Sequence, residues 1–189
     1  MKKSYRSLRA LVRAKALNSL TILHERVIEH RNQSLLAKFS KLGNNVLVYG
    51  KIEVGNPENI RIGNDVALNE GVVLNARAPI TIGNSVTISA GVQIHTAYLD
   101  IELPYNIRRQ ETDSTTGDDH LKKPIIIEDG VWITAGVIIT AGSILREGSV
   151  ILPNSCVSGE VPAFQLWGGS PAKLIRPLNH SKRYKSNEH

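Results

Sequence analysis

The sequence predicts an all-β chain wound as a parallel β-helix of hexapeptide repeats, with an N-terminal helical segment and one long loop insertion. Three observations carry that expectation. An aliphatic residue returns every sixth position between Leu42 and Val157, glycines punctuate the same stretch, and the series breaks once, between Ile94 and Ile127. The series runs Leu42, Val48, Val54, then Ile62, Leu68, Leu74, then Ile82, Ile88, Ile94. It resumes as Ile127, Ile133, Ile139, Leu145, Ile151 and Val157. A helix repeats near 3.6 and a half-buried strand near 2, so a period of six belongs to neither. It is the step of a hexapeptide solenoid.

Each six-residue unit supplies one short strand and a corner, and three units close a triangular coil. The aliphatic residue and the one four places on (Val46, Ile52, Val66, Val72, Val86, Val92, Val131, Val137) point inward. Stacked coils bury them in continuous columns. Corners call for positive φ, expected from Gly63, Gly71, Gly83, Gly91, Gly130, Gly136, Gly142 and Gly148, with Asn64, Asn69, Asn75 and Asn84 assisting. Coils starting at Leu42, Ile62 and Ile82 carry two extra residues at one corner; those at Ile127 and Leu145 do not. Five coils at a strand spacing of about 4.8 Å make a prism roughly 24 Å tall.

In chain order, residues 1–41 form a basic helical segment. Residues 5–39 lack Gly and Pro, and Leu8, Leu11, Val12, Leu20, Leu23 and Val27 space an apolar stripe at helical intervals. The segment has two uses: a cap over the open end of the prism, or an interfacial helix on anionic lipid, drawn there through residues 1–30 by Lys2, Lys3, Arg6, Arg9 and Arg13. Residues 42–162 form the prism, with the insertion at 96–124. That insert is polar and charged, and a long loop on a rigid scaffold is usually functional. His95 and His120 flank it. Residues 163–189 are a C-terminal segment ending in a basic tail.

Composition narrows the class. The chain has 189 residues and a net charge of +6, unevenly placed: residues 1–41 hold ten Lys or Arg against Glu25 and Glu29. No base-stacking pattern accompanies this charge, so a nucleic-acid partner is not expected. The single cysteine, Cys156, fits a reducing cytoplasm. There is no apolar run long enough to span a bilayer and no secretory leader pattern.

The run Ile127-Glu-Asp-Gly-Val-Trp-Ile133, the hexads after it, and the ending Trp167-Gly-Gly-Ser-Pro-Ala-Lys-Leu-Ile-Arg176 resemble the hexapeptide-repeat acyltransferases. The likeness is to the maltose and galactoside O-acetyltransferases and their polysaccharide-cluster relatives, over about residues 42–178. It implies a left-handed β-helix, assembly as a homotrimer with sites between subunits, and acetyl transfer from acetyl-CoA to a sugar or glycan acceptor. It implies no metal. A neutral imidazole suits the proton transfer because its pKa lies near 6.5.

The resemblance also assigns residues. The family's histidine usually falls five places after the core residue opening the last hexad before the loop, which here is Leu99. A leucine cannot accept a proton, so His95 and His120 are the candidate bases. Asp118 or Asp119 is placed to orient the His120 ring, and Asp100 and Asp119 join Asn69 as acceptor-binding candidates. Trp132, Ala135, Pro153, Ser158 and Gly169 fall along the expected groove for the cofactor arm, and Lys173 and Arg176 near its phosphates. Pro153 has no N–H to donate.

Three other readings fit parts of the pattern. N-acetylation of a nucleotide-linked amino sugar uses the same fold. A non-catalytic β-helix scaffold accommodates Leu99. A zinc enzyme on this prism needs three converging imidazoles, and only two histidines lie near its faces.

Overall fold

Because each unit advances the chain by one strand and one corner, residues one coil apart become hydrogen-bonded neighbours. The computed structural model describes residues 2–99 and 120–179. The prism's first face stacks six parallel strands: Lys41–Leu42, Ile60–Ile62, Ile80–Ile82, Ile125–Ile127, Ile144–Leu145 and Glu160–Val161. Its second face stacks Leu47–Val48, Ala67–Leu68, Thr87–Ile88, Trp132–Ile133, Val150–Ile151 and Gln165–Gly169, closed by the antiparallel Ala172–Pro177. The third face holds five: Glu53–Gly55, Val73–Asn75, Gln93–His95, Ile138–Ile139 and Cys156–Val157. This parallel solenoid of about five turns is consistent with the left-handed β-helix expected from the resemblance.

The registers run along the predicted series. Leu42 pairs with Ile62, Ile62 with Ile82, Ile82 with Ile127, and Ile127 with Leu145. Leu145 then pairs with Val161, sixteen residues on, and Ile151 with Trp167. Val161 is fully buried and Trp167 packs on the core, so the inward columns continue into a sixth, partial coil. After Val137 the second inward position changes from Val to Ser, at Ser143, Ser149 and Ser155, all buried.

The glycines do two jobs, which corrects the expectation of uniform positive φ. Gly71 and Gly91 have φ of 74° and 69° and turn the corner between the second and third faces. Gly63 and Gly83, at the corner between the first and second, lack positive φ; a Cβ on Gly63 would sit 2.7 Å from the backbone of Gly83. There the coils simply approach too closely for a side chain. In the first three coils the left-handed residues of that corner are Asn45, Asp65 and Ser85, with φ of 55°, 57° and 55°; after the insertion Gly130 and Gly148 take that position. Nor do Asn64 and Asn84 supply positive φ; they stitch coils together. The Asn44 N–H donates to Asn64 Oδ1 at 2.8 Å, Asn64 N–H to Asn84 Oδ1 at 2.9 Å, and Asn84 N–H to Asp129 Oδ1 at 2.7 Å. Asn69 and Asn75 likewise lie outside the positive-φ set.

A 35-residue helix, α1 (Lys2–Leu36), precedes the prism. Its last turns close the open end of the first coil. Asn32 Nδ2 donates to the Gly50 carbonyl and Arg31 Nη1 to the Ile52 carbonyl, both at 2.7 Å. Leu36 and Phe39 pack on the core. These contacts satisfy carbonyls that would otherwise face water at a sheet edge. Among the described residues no helix is long and apolar enough to cross a membrane.

On the first face, Arg146 binds both Glu128 and Glu160 at 2.8 Å. Arg146 and the Glu147 N–H hold the Glu128 carboxyl below its ordinary value. Hydrogen bonds from the Asn84 side chain and backbone do the same for Asp129.

Two outcomes follow. Replacing fully buried Ile133 by alanine is expected to lower stability by about 2–5 kcal/mol in denaturant unfolding, the range for a large core deletion. Depressed carboxyl values contribute stability that is complete above the ordinary pKa and lost as pH falls through the folded one. The unfolding midpoint is therefore expected to hold above about pH 5 and to drop below about pH 4. Asp129→Asn, which keeps an oxygen for the Asn84 N–H, should make that drop shallower.

Candidate active site

Only the edge between the third and first faces carries the insert, and Thr96 pins its departure. Thr96 is fully buried. Its hydroxyl donates to the Asn75 carbonyl at 3.0 Å and accepts the Ala78 N–H at 2.8 Å. Its carbonyl accepts the N–H of Lys123 at 2.9 Å, tying outgoing and returning chain together. Beyond this clamp, Ala97–Leu99 and His120–Lys122 pair as an antiparallel ribbon, Ala97 opposite Lys122, Tyr98 opposite Leu121 and Leu99 opposite His120. The segment expected as loop throughout residues 96–124 thus begins and ends as strand, because cross-pairing satisfies backbone groups that a polar loop would leave to water.

His95 ends the strand Gln93–His95, in register with Asn75 of the coil before it. Strand alternation sends Ile94 into the core and leaves Gln93 and His95 outside. The half-buried ring has Nε2 at 3.2 Å from Gln93 Oε1. A proton on Nε2 that donates to this oxygen leaves the Nδ1 lone pair as acceptor. His95, Ala97, Tyr98, Thr140, Ala141 and Ser158 line a cleft of about 270 Å³. The predicted base His95 and the predicted cofactor-groove residue Ser158 therefore share one opening. Thr140 and Tyr98 join them and were not anticipated. Thr140 had a signal in the repeat count: like His95 and Ser158, it follows a core position by one.

Leu99 and His120 are directly opposed in the backbone register of the ribbon, and Ala97, where the ribbon begins, lines the cleft. The ribbon thus sets a histidine across from the position where the resemblance leads one to expect it. Asp100, Asp118 and Asp119 lie outside the described residues.

The remaining candidates occupy other edges. Asn69 sits between the second and third faces with its Nδ2 donating to the Ile88 carbonyl at 3.0 Å, a link between coils. Ala135 and Pro153 are exposed on the same edge in consecutive coils, joined by the Asn154 N–H donating to the Ala135 carbonyl at 3.0 Å. Gly169 has φ of 97° and donates its N–H to Ser155 Oγ at 3.0 Å. Trp132, 51% exposed, donates to Ser89 Oγ at 3.3 Å and shares a second surface cavity of about 610 Å³ with Arg176, Val150 and Leu178. Lys173 is exposed on the final strand, opposite Gly168. One chain thus brings His95 to Ser158, Ala135 to Pro153 and Trp132 to Arg176, but does not gather the three groups into one place. Among the described residues, no three His, Cys, Asp or Glu are grouped to hold a metal ion.

The chain is similar to several solved structures. One is a hexapeptide-repeat-containing acetyltransferase from Vibrio cholerae O1 biovar eltor in complex with acetyl coenzyme A, at 35% identity over 80% of this chain and 78% of that one, with a TM-score of 0.71. A maltose O-acetyltransferase from Clostridium difficile 630 matches at 28% identity over 80% and 76%, with a TM-score of 0.70. A galactoside acetyltransferase in complex with coenzyme A, at 24% identity over 86% and 77% and a TM-score of 0.70, shares the fold. No protein-family model and no curated protein matches the sequence.

Proposed function

Since the chain belongs to the hexapeptide-repeat acetyltransferases, we propose that it moves the acetyl group of acetyl-CoA onto a hydroxyl of a sugar or glycan precursor in the cytoplasm. The observation that carries this reading is the cleft where His95 and Ser158 meet beneath the ribbon. The homotrimer that the resemblance implies suits the spread of the candidates over three edges. Neighbouring edges of such a prism stand roughly 15–20 Å apart, about five strand residues. Only a second copy, offering another edge, brings an acceptor contact such as Asn69 and a groove residue such as Ala135 or Pro153 toward His95.

The residues present fit acetyl-CoA. Lys173 and Arg176 offer cations to its phosphates, and the exposed indole of Trp132 beside Arg176 offers a flat apolar surface. When bound, the cofactor supplies an activated acyl carbon. The Nδ1 lone pair of His95 takes the proton of the acceptor hydroxyl as its oxygen forms a bond to that carbon. Backbone N–H groups at the exposed corner are suited to steady the negative charge that develops. The imidazolium then returns its proton to the departing sulfur, and His95 is neutral again. His120 is the second candidate for this role, favoured by its position across from Leu99.

The test is turnover by the full chain with acetyl-CoA and a panel of sugars and amino sugars, following release of free thiol. His95→Ala or His120→Ala is expected to lower kcat by at least about 10²-fold, the lower range for loss of a general base. Near-normal turnover in both variants would remove the histidine assignment. Acetylation of amino sugars alone would move the activity from oxygen to nitrogen. Sedimentation equilibrium of the wild type should return three chains per particle, and a monomer that turns over substrate would overturn the shared site.

A further inference from the structure

The closing turns of α1 account for one side of that helix and leave another unexplained. Asn32 and Leu36 mark the side that meets the prism. At 100° per residue, Leu20, Leu23 and Val27 lie roughly opposite. They are 61%, 59% and 59% exposed, in an unbroken stripe at three- and four-residue steps. A helix of this length extends roughly 50 Å, so most of it stands clear of the coil it caps. An exposed apolar stripe does not stabilise an isolated helix in water.

Charge decides what covers it. The helix carries Lys2, Lys3, Arg6, Arg9, Arg13 and Lys15, with no acidic residue before Glu25. Stripe against stripe in parallel, copies of α1 would bring these cations together and repel one another. An anionic surface neutralises them while its apolar layer takes the stripe. We infer that α1 is an interfacial helix that seats this protein on anionic lipid, with Leu20, Leu23 and Val27 in the acyl boundary and the basic residues among the headgroups. The prism then hangs from the bilayer by its capped end, and its edges stay open to water and to substrate. This inference does not depend on the acyl-transfer reading.

The experiment is co-sedimentation of the full chain with vesicles of phosphatidylcholine, with and without phosphatidylglycerol, at low and high salt. Binding to the anionic vesicles is expected, falling at high salt and in pure phosphatidylcholine. A triple variant, Leu20→Ser, Leu23→Ser and Val27→Ser, should bind at least about tenfold more weakly. Its particle size and its acetyl-CoA turnover on a soluble acceptor should stay unchanged. Arg9→Glu with Arg13→Glu should also weaken binding, by a route that leaves the stripe intact. Three results would each overturn the proposal. The wild type fails to sediment with anionic vesicles; the serine variant binds as well as wild type, leaving charge attraction alone; or the serine changes alter particle size, which would make the stripe a contact between copies.

Discussion

The parallel strands of the prism must find their partners one coil away, since strands this short cannot supply their own hydrogen bonds. Strands of two or three residues are too short to be stable in pairs. They persist because each rung is bonded above and below and because its inward residue joins a column shared by all the coils. Ile62, Ile82, Ile127, Leu145 and Val161 form one such column, all essentially buried. A change of spacing inside a coil would turn a whole column outward, so extra residues are admitted only at corners.

That constraint explains where chemistry can be placed. Faces present outward side chains in rows, while edges can open without disturbing the columns. The chain leaves the prism once, at the edge after His95, and Thr96 with Lys123 holds the two ends of the excursion together. The coils on either side stay in register across the gap, Ile82 against Ile127 and Ile94 against Ile139. A long insert is tolerated because its ends are already adjacent, so closing it costs little more than closing a short turn.

The site shows the same logic at higher resolution. His95, Thr140 and Ser158 follow consecutive core residues of one column, so they line up along the edge without any loop to hold them. The ribbon adds Ala97 and Tyr98 from outside the prism, and its pairing puts His120 opposite Leu99.

How much of this was legible follows from the kind of interaction involved. The solenoid, its coil boundaries and the inward columns could be read from the chain alone, because a burial pattern with a fixed period leaves its mark on every sixth residue. His95 was singled out by its place beside the insert and Ser158 by the resemblance alone; that the two share one cleft emerged only from the fold. Several features were not legible. Gly63 and Asn64 looked like turn formers, yet one is needed for close approach and the other for a bond to the next coil, which only the stacking distance reveals. The ribbon and its Leu99–His120 pairing join residues far apart in the chain with no period between them. The helix looked like one object with two possible uses. The tertiary structure divided it, since hydrogen bonds from Arg31 and Asn32 commit its last turns to the prism and leave Leu20, Leu23 and Val27 facing away. Periodic burial is a local property that sequence records; which side of an element meets which neighbour is decided only when the chain has closed on itself.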